Sequence, residues 1–253
     1  MKIGIAGYGF VGQAHELIFK KAHEIIISDP AKGEYGNLKH ADAIIICVST
    51  PSASNGTCDV SNVCSVIKEA PDVPMLIKST ISPEGWKLIS DTFKNKNITF
   101  SPEFLRAAHW REDALNKKDF YFGGDSVGFW SDLFLNALGR INITPAKPEE
   151  LILMKQLRNS YLALKVTFFN QVYDYCKGEG LDFDNVRKLV TADERIGDSH
   201  SFVTEERGFG GHCLPKDTLA TVRSSVSSAN TRMTLLEESL NYNNSIQKDN
   251  SQD

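Results

Sequence analysis

Three glycines lie between an apolar run, Lys2–Ala6, and a segment of helical character, so that Gly7-Tyr8-Gly9-Phe10-Val11-Gly12 reads Gly-x-Gly-x-x-Gly. Alone the pattern is weak, because glycines are common in turns. Its context is stronger. A second apolar run ends in Asp29, 22 residues beyond Gly7, which is the strand-turn-helix-strand setting of a dinucleotide fingerprint. In that setting Gly7 makes the tight turn, Gly9 lets the backbone approach a pyrophosphate, and Gly12 lets helix and strand pack closely. The helix N-terminus attracts the phosphates. Asp29 can accept from a ribose 2′-hydroxyl and would repel a 2′-phosphate, so NAD is expected rather than NADP. Phe10 and Val11, inside the fingerprint, join Gly7, Gly9, Gly12 and Asp29 as expected cofactor contacts.

The first half continues as short β-branched runs separated by helical or loop segments. Strands are expected at Lys2–Ala6, Glu24–Ser28, Ala43–Val48, Met75–Lys78, Ile98–Phe100 and Phe120–Phe122. Ile25-Ile26-Ile27 and Ile44-Ile45-Ile46 are apolar on consecutive positions, as strands covered on both faces require. The alternation predicts an α/β fold of Rossmann type, a doubly wound parallel sheet. The 13 residues between Asp29 and Ala43 leave room for a loop or one helical turn, which predicts a sheet smaller than usual.

The pattern changes at Pro148-Glu149-Glu150, a good helix start with a proline early and acids at the positive end of the dipole. Apolar residues then recur at helical spacing from Leu151 to Tyr175, with Gly178 and Gly180 as the expected stop. Further helices are expected from about Asp184 to Val190 and from Lys216 or Asp217 to about Asn243, the latter with a break near Ser224–Asn230. The expected organisation is a Rossmann domain over 1–146, an all-helical domain over 147–245, and a polar tail over 246–253.

The chain has 253 residues and a net charge of -4, with no Lys/Arg-rich run, so nucleic acid is not expected as a partner. No segment reaches the ~18–20 apolar residues of a membrane span. Met1–Val11 is broken by three glycines and does not read as a signal peptide. Five cysteines, an odd number, without CxxC spacing, predict reduced thiols in a cytoplasmic protein and no metal site.

Gly208-Phe209-Gly210-Gly211-His212-Cys213-Leu214-Pro215-Lys216-Asp217 carries the most chemistry. Cys213 follows three glycines, where backbone can approach a ligand, and precedes a helix N-terminus, whose dipole stabilises negative charge. Lys216 adds positive charge, and Asp217 could orient or deprotonate a water. Taken alone, a buried cysteine in a tight loop explains the segment equally well.

This segment resembles the catalytic loop of the UDP-glucose/GDP-mannose dehydrogenase family. Four further segments resemble that family's motifs in order: Lys78-Ser79-Thr80-Ile81, Ser101-Pro102-Glu103-Phe104-Leu105-Arg106, Lys155-Gln156-Leu157-Arg158-Asn159-Ser160-Tyr161, and Asp193-Glu194-Arg195-Ile196-Gly197. The resemblance implies oxidation of a nucleotide sugar, UDP-glucose first, from C6 alcohol to carboxylate with two NAD, through a thioester on Cys213. Lys155 and Asn159 are four apart, so they share a helical face, and a cation with an amide donor suits a developing oxyanion. The resemblance implies that Glu103 and Asp217 activate or position water and that Thr80 assists. It also implies that Thr50, Thr80 and Lys216 contact NAD. The implied substrate contacts are Glu103, Phe104, Leu105, Lys155, Asn159, Arg195, Phe209 and Gly210, with Arg195 reaching across a dimer interface.

The pattern departs from the family in two places. Members carry a third, nucleotide-gripping domain, and this chain stops after its long helices. A homodimer through the helical domain is therefore expected, with a separate chain as a candidate source of the missing domain. Ala107 stands where the family commonly has a glutamate. Two rival readings remain. One is a two-electron β-hydroxyacid dehydrogenase, which needs no loop cysteine. The other is a non-catalytic NAD-binding subunit.

Overall fold

The computed structural model describes residues 1–53, 57–211, 213–227 and 229–249. The chain divides into two compact units, Met1–Lys155 and Gln156–Asp253.

The first unit is built on an eight-stranded sheet of order β3-β2-β1-β4-β5-β6-β7-β8. The strands are β1 (Lys2–Ala6), β2 (Glu24–Asp29), β3 (Glu34–Tyr35), β4 (Ala43–Ile46), β5 (Met75–Ile77), β6 (Ile98–Phe100), β7 (Asp119–Gly124) and β8 (Asn142–Pro145). Strands β2, β1, β4, β5 and β6 run parallel. Helices α1 (Phe10–Phe19), α2 (Ser61–Glu69), α3 (Pro83–Thr92), α4 (Trp110–Asn116) and α5 (Val127–Leu138) join them.

The apolar runs have the expected cause. Ile44, Ile46, Met75 and Ile77 pack on one side with Val63 and Ile67 of α2 and Trp86 and Ile89 of α3. The alternate residues Ala43, Ile45 and Leu76 pack on the other with Ala14 and Phe19 of α1 and Trp130 and Phe134 of α5. Both faces are covered, so every position along these strands must be apolar.

The structure corrects two expectations here. The sheet is mixed rather than wholly parallel: β7 runs antiparallel to β6, β8 runs parallel to β7, and β3 pairs antiparallel with β2. Its size is eight strands rather than a reduced number. The reversal at β7 is a close approach of backbones, since a Cβ on Gly124 (φ +126) would overlap the Ile98 carbonyl oxygen. The short link after Asp29 holds two 3-10 turns, Pro30–Lys32 and Leu38–His40, around the two-residue β3.

Helix α6 (Pro148–Glu179) starts in the first unit, where Leu151 and Ile152 join the core. Its first turn is capped by Glu150, whose carboxylate accepts from Lys147 N at 2.9 Å. Gly178 is inside the helix, contrary to expectation. The stop falls at Gly180 (φ +68), after which Leu181 N reaches back to Cys176 O at 2.8 Å, a left-handed C-terminal turn that glycine adopts without strain.

The second unit adds α7 (Phe183–Thr191), α8 (Leu214–Ser227) and α9 (Thr234–Asp249). Asp182 caps α7 by accepting from Asp184 N and Asn185 N. The expected third helix is two, parted between Ser227 and Thr234; Ser228, within the expected break, lies outside the described residues. Helix α9 runs past Asn243 to Asp249, so the tail begins later than expected, and 250–253 lie outside the described residues. Phe209 packs with Ala163, Val166, Leu214 and Leu240 in a small apolar cluster, and hydroxyls pair across helices at Ser160···Thr221 (3.2 Å) and Thr167···Ser239 (2.6 Å).

Candidate active site

The fingerprint glycines sit where β1 ends and α1 begins, beside the point at which the strand order turns from β2 to β4, the usual ligand crevice of such sheets. Gly7 has φ +88, and a Cβ there would stand 2.7 Å from Cys47 C, Cys47 O and Val48 N. Gly9 is the N-cap of α1, has no side-chain cap, and meets nothing within 4 Å of a Cβ position. Its backbone is open to a ligand and the first-turn amides are not capped by a side chain. A Cβ on Gly12 would overlap the Gly7 carbonyl oxygen. Asp29 ends β2 and accepts from Tyr8 N through Oδ2 at 2.7 Å. Lys32 Nζ donates to Tyr8 O at 2.8 Å, and the Tyr8 hydroxyl donates to Glu16 at 2.5 Å. That bond, with burial and the Glu16 charge, raises the Tyr8 hydroxyl to about 12. An open glycine cradle beside a carboxylate fits an adenine dinucleotide.

The loops leaving β4, β5 and β6 are laced together. Thr50 Oγ1 donates to Thr80 O at 2.6 Å, and Ser79 Oγ donates to Val48 O at 2.7 Å. Lys155 Nζ donates to Thr80 Oγ1, which brings together two sequence-predicted residues of the first unit. Phe104 meets Tyr121 edge-on at 6.2 Å, and Leu105 packs on the α1–α5 core.

Glu103 has surroundings that its motif does not reveal. Its Oε2 lies 3.0 Å from Lys78 Nζ and its Oε1 lies 3.0 Å from Lys117 Nζ, while Oε1 also accepts from Phe104 N at 2.8 Å. Lys78 is 2% exposed and also donates to Ser101 Oγ at 3.0 Å. Burial alone would raise the Glu103 carboxyl, but Lys117 and Lys78 outweigh it and hold the group well below its usual range. Burial depresses Lys78 to about 8 against the pull of Glu103. Glu103 is therefore a fixed anion between two cations. Sequence reasoning quoted Lys78 without a role and missed Lys117; a lysine flanked by apolar strand residues was the available signal for the first.

His15 of α1 is 1% exposed, with Nδ1 2.8 Å from Val11 O. Burial, then the Lys78 charge, lowers it from 6.5 to about 4. The folded state thus keeps His15 neutral where the unfolded chain binds a proton, so its contribution to stability is full above 6.5 and is lost as pH falls through about 4. Across that window the loss is roughly 3 kcal/mol, at ~1.36 kcal/mol per pH unit. Urea midpoints between pH 4 and 7 should fall steeply for the wild type and less for His15→Gln; parallel slopes would sink the assignment.

In the second unit, Asn159 Nδ2 donates to Asp217 Oδ2 at 2.6 Å. Asp217 is 2% exposed and its Oδ1 has no partner among the described residues, an orphan acceptor at the head of α8. Cys213 is exposed, directly precedes α8, and its carbonyl accepts from Asp217 N at 2.9 Å. Lys216 lies in the same first turn. Lys155 and Asn159 occupy successive turns of α6. The Phe209 ring is buried at 2% exposure, whereas Gly210 is exposed with open space at its Cβ position. Arg195 pairs with Asp193 at 2.5 Å and is exposed, and its loop is tied to α6 by Lys165, which donates to Ile196 O and Gly197 O. His212 and the Ala107 side chain, both singled out in the sequence, lie outside the described residues. Among the described residues no cluster of His, Cys, Asp or Glu could hold a metal, and no helix is long and apolar enough to cross a membrane.

Residues 31–127 match the NAD binding domain of the UDP-glucose/GDP-mannose dehydrogenase family, and residues 150–245 match its central domain. The chain is 30% identical over 262 residues to a UDP-glucose 6-dehydrogenase of Campylobacter jejuni, covering 86% of this chain and 66% of that one. It is 33% identical over 198 residues to the Rickettsia bellii enzyme of the same name, covering 72% of this chain and 45% of the relative. A solved UDP-glucose dehydrogenase from Pyrobaculum islandicum superposes with a TM-score of 0.81 at 25% identity, covering 96% of this chain and 68% of that one. The chain thus spans between about half and two thirds of the curated relatives it matches, and its cofactor is NAD. A dinucleotide cradle in the first unit, a Cys213 loop heading a polar helix pair in the second, and the two matched domains place the chain in the UDP-glucose/GDP-mannose dehydrogenase family.

Proposed function

We propose that the chain oxidises the C6 alcohol of a nucleotide sugar to a carboxylate, with UDP-glucose as the leading substrate and Cys213 as the covalent residue. The observation that carries this reading is the Asn159–Asp217 bond at the head of α8, one turn from Cys213, with an acceptor of Asp217 left over. The names of the Campylobacter and Rickettsia relatives support the substrate. The expected domain organisation, 1–146 and 147–245, belongs to the same proposal.

The chemistry assigns a role to each residue. The C6 hydroxyl gives up its proton and C6 a hydride, leaving an aldehyde. The Cys213 sulfur adds to the aldehyde carbon, its proton passing to the carbonyl oxygen, to give a thiohemiacetal, which loses a second hydride from C6 and its hydroxyl proton to solvent to become a thioester. Water then displaces the Cys213 thiol and leaves the carboxylate. NAD, when bound, accepts the hydride in each oxidation, one molecule per step. Lys155 and Asn159 stabilise the oxyanion, and Asp217 positions the hydrolytic water through its unpartnered oxygen. Thr80 holds the Lys155 ammonium. Glu103, fixed between two lysines, acts through the shape and charge of its loop, beside Phe104 and Leu105. Arg195, Gly210 and the Phe209 backbone serve the substrate; Thr50 and Lys216 serve the cofactor.

NADH formation with a panel led by UDP-glucose tests this reading. Two NADH per sugar are expected, and Cys213→Ser should lower the overall rate roughly 10³-fold or more. One NADH per substrate, indifferent to the substitution, would replace the reading with a two-electron alcohol dehydrogenase. NAD binding without turnover would favour a subunit that needs a partner chain.

A homodimer through α6 and a cytoplasmic location complete the proposal. Leu157, Tyr161, Phe168 and Tyr175 are all exposed, Tyr161 at 65% and Tyr175 at 69%. At ~100° per residue they fall in one stripe of the helix, which suits an isologous partner face. Tyr161→Arg with Phe168→Glu should halve the mass found by light scattering. A wild-type monomer would overturn the dimer.

A further inference from the structure

The three residues Arg207, Gly208 and Phe209, at the entry to the Cys213 loop, are held in a way that the proposed chemistry does not use. Arg207 (φ +57) and Gly208 (φ +64) are consecutive left-handed residues. A non-glycine residue there is strained, and such strain persists only where the surroundings over-determine it. Two asparagines do so from two helices. Asn170 of α6, 1% exposed, accepts from Arg207 Nε at 2.9 Å and from Gly208 N at 3.1 Å. Asn243 of α9, 4% exposed, accepts from Phe209 N at 2.6 Å and donates to Phe209 O at 3.1 Å. Its side-chain amide grips one residue by both its N–H and its C=O, as a neighbouring β-strand would. Gln247 adds a second donor to Phe209 O at 3.2 Å. A Cβ on Gly208 would overlap Asn243 Oδ1, so glycine and asparagine require each other.

Gly210 and Gly211 (φ +74) meet nothing within 4 Å of their Cβ positions, and Cys213 is exposed at the start of α8. Among the described residues, the clamped Phe209 on one side and helix α8 on the other hold the chain around the thiol. Releasing the first removes the hold four residues before Cys213, and an error of about 1 Å at a reacting atom can cost roughly 10²-fold in rate.

We propose that Asn243, seconded by Asn170, is a positioning residue that sets where the Cys213 sulfur meets the aldehyde. The proposal rests on the Cys213 reading above. The first oxidation does not involve the sulfur and the second does, so loss of the clamp separates the two.

The test uses the full chain with Asn243→Ala and Asn243→Asp; the aspartate keeps the acceptor for Phe209 N and sets an anion against Phe209 O. Expected are a first hydride transfer within about threefold of wild type and a second slowed about ten- to hundredfold. The aldehyde should escape to a hydroxylamine trap, and the NADH yield should fall from two per sugar toward one. A merely structural role would slow both transfers equally, and that result, or unchanged transfers in a folded variant, overturns the proposal. Should the alanine variant fail to fold, the aspartate variant decides by the same ratio. If wild-type protein yields no NADH from any sugar, the function reading fails on its own. Iodoacetamide alkylation of Cys213, read by intact mass, then decides the clamp: at least fivefold faster in the variants supports it, and an unchanged rate overturns it.

Discussion

Replacing Lys78 by methionine should lower the unfolding free energy by about 3–5 kcal/mol, the cost of stranding one partner of a buried ion pair. The magnitude follows from the surroundings. The Lys78 side chain is fully buried, it lies 3.0 Å from Glu103, and it donates to Ser101 and Pro102. Without it Glu103 keeps one cation among the described residues, Lys117, and the Phe104 amide, both on Oε1, and its Oε2 loses its cation. Since a domain holds about 5–15 kcal/mol in total, such a loss approaches unfolding. Lys78→Met with Glu103→Gln should recover part of it, because no stranded carboxylate then remains. Urea denaturation of both variants measures the difference. A single variant within about 1 kcal/mol of wild type would mean that the charges are not held as described. Acid has the same sign: the contribution of Glu103 is present above the ordinary carboxylate range and is lost only as pH falls through its depressed folded value.

The second large effect is expected at Gly7. An alanine there must adopt φ +88 and push a methyl to 2.7 Å from the Cys47 and Val48 backbone, where no side chain can yield. The left-handed conformation costs roughly 1–2 kcal/mol by itself, and the overlap forces β1 and the exit of β4 apart. NAD affinity should fall at least about a hundredfold in a fluorescence titration, with a lower melting temperature. Gly9→Ala is the informative contrast. Its Cβ meets nothing within 4 Å, so the fold should keep its melting temperature while NAD binding weakens through crowding of the pyrophosphate. Equal affinities for both variants and wild type would show that the cofactor does not use this turn.

Much of the first unit was legible because its strands are buried on both faces, and consecutive isoleucines have few other destinations. The additions escaped for physical reasons. Strand β3 has two exposed residues, and β8 contains Pro145 and is largely exposed. The direction of β7 is a fact about pairing partners, which its own alternation does not encode. The same limit applies to the site. Glycine positions, Lys155 with Asn159, and the Cys213–Asp217 turn are local spacings and could be read directly. The lysines that fix Glu103 lie 25 residues before it and 14 after it. Asn170 and Asn243 look like ordinary polar helix positions until the fold lays the Phe209 peptide between α6 and α9.

The Lys78–Glu103–Lys117 group encloses two cations and one anion next to the carboxyl ends of β5 and β6. Dissolved salt screens a charge enclosed by protein much less than one on the surface. This end of the sheet therefore acts as a built-in electrode. Burial, which lowers the Lys78 ammonium to about 8, makes that excess weaker in alkaline buffer.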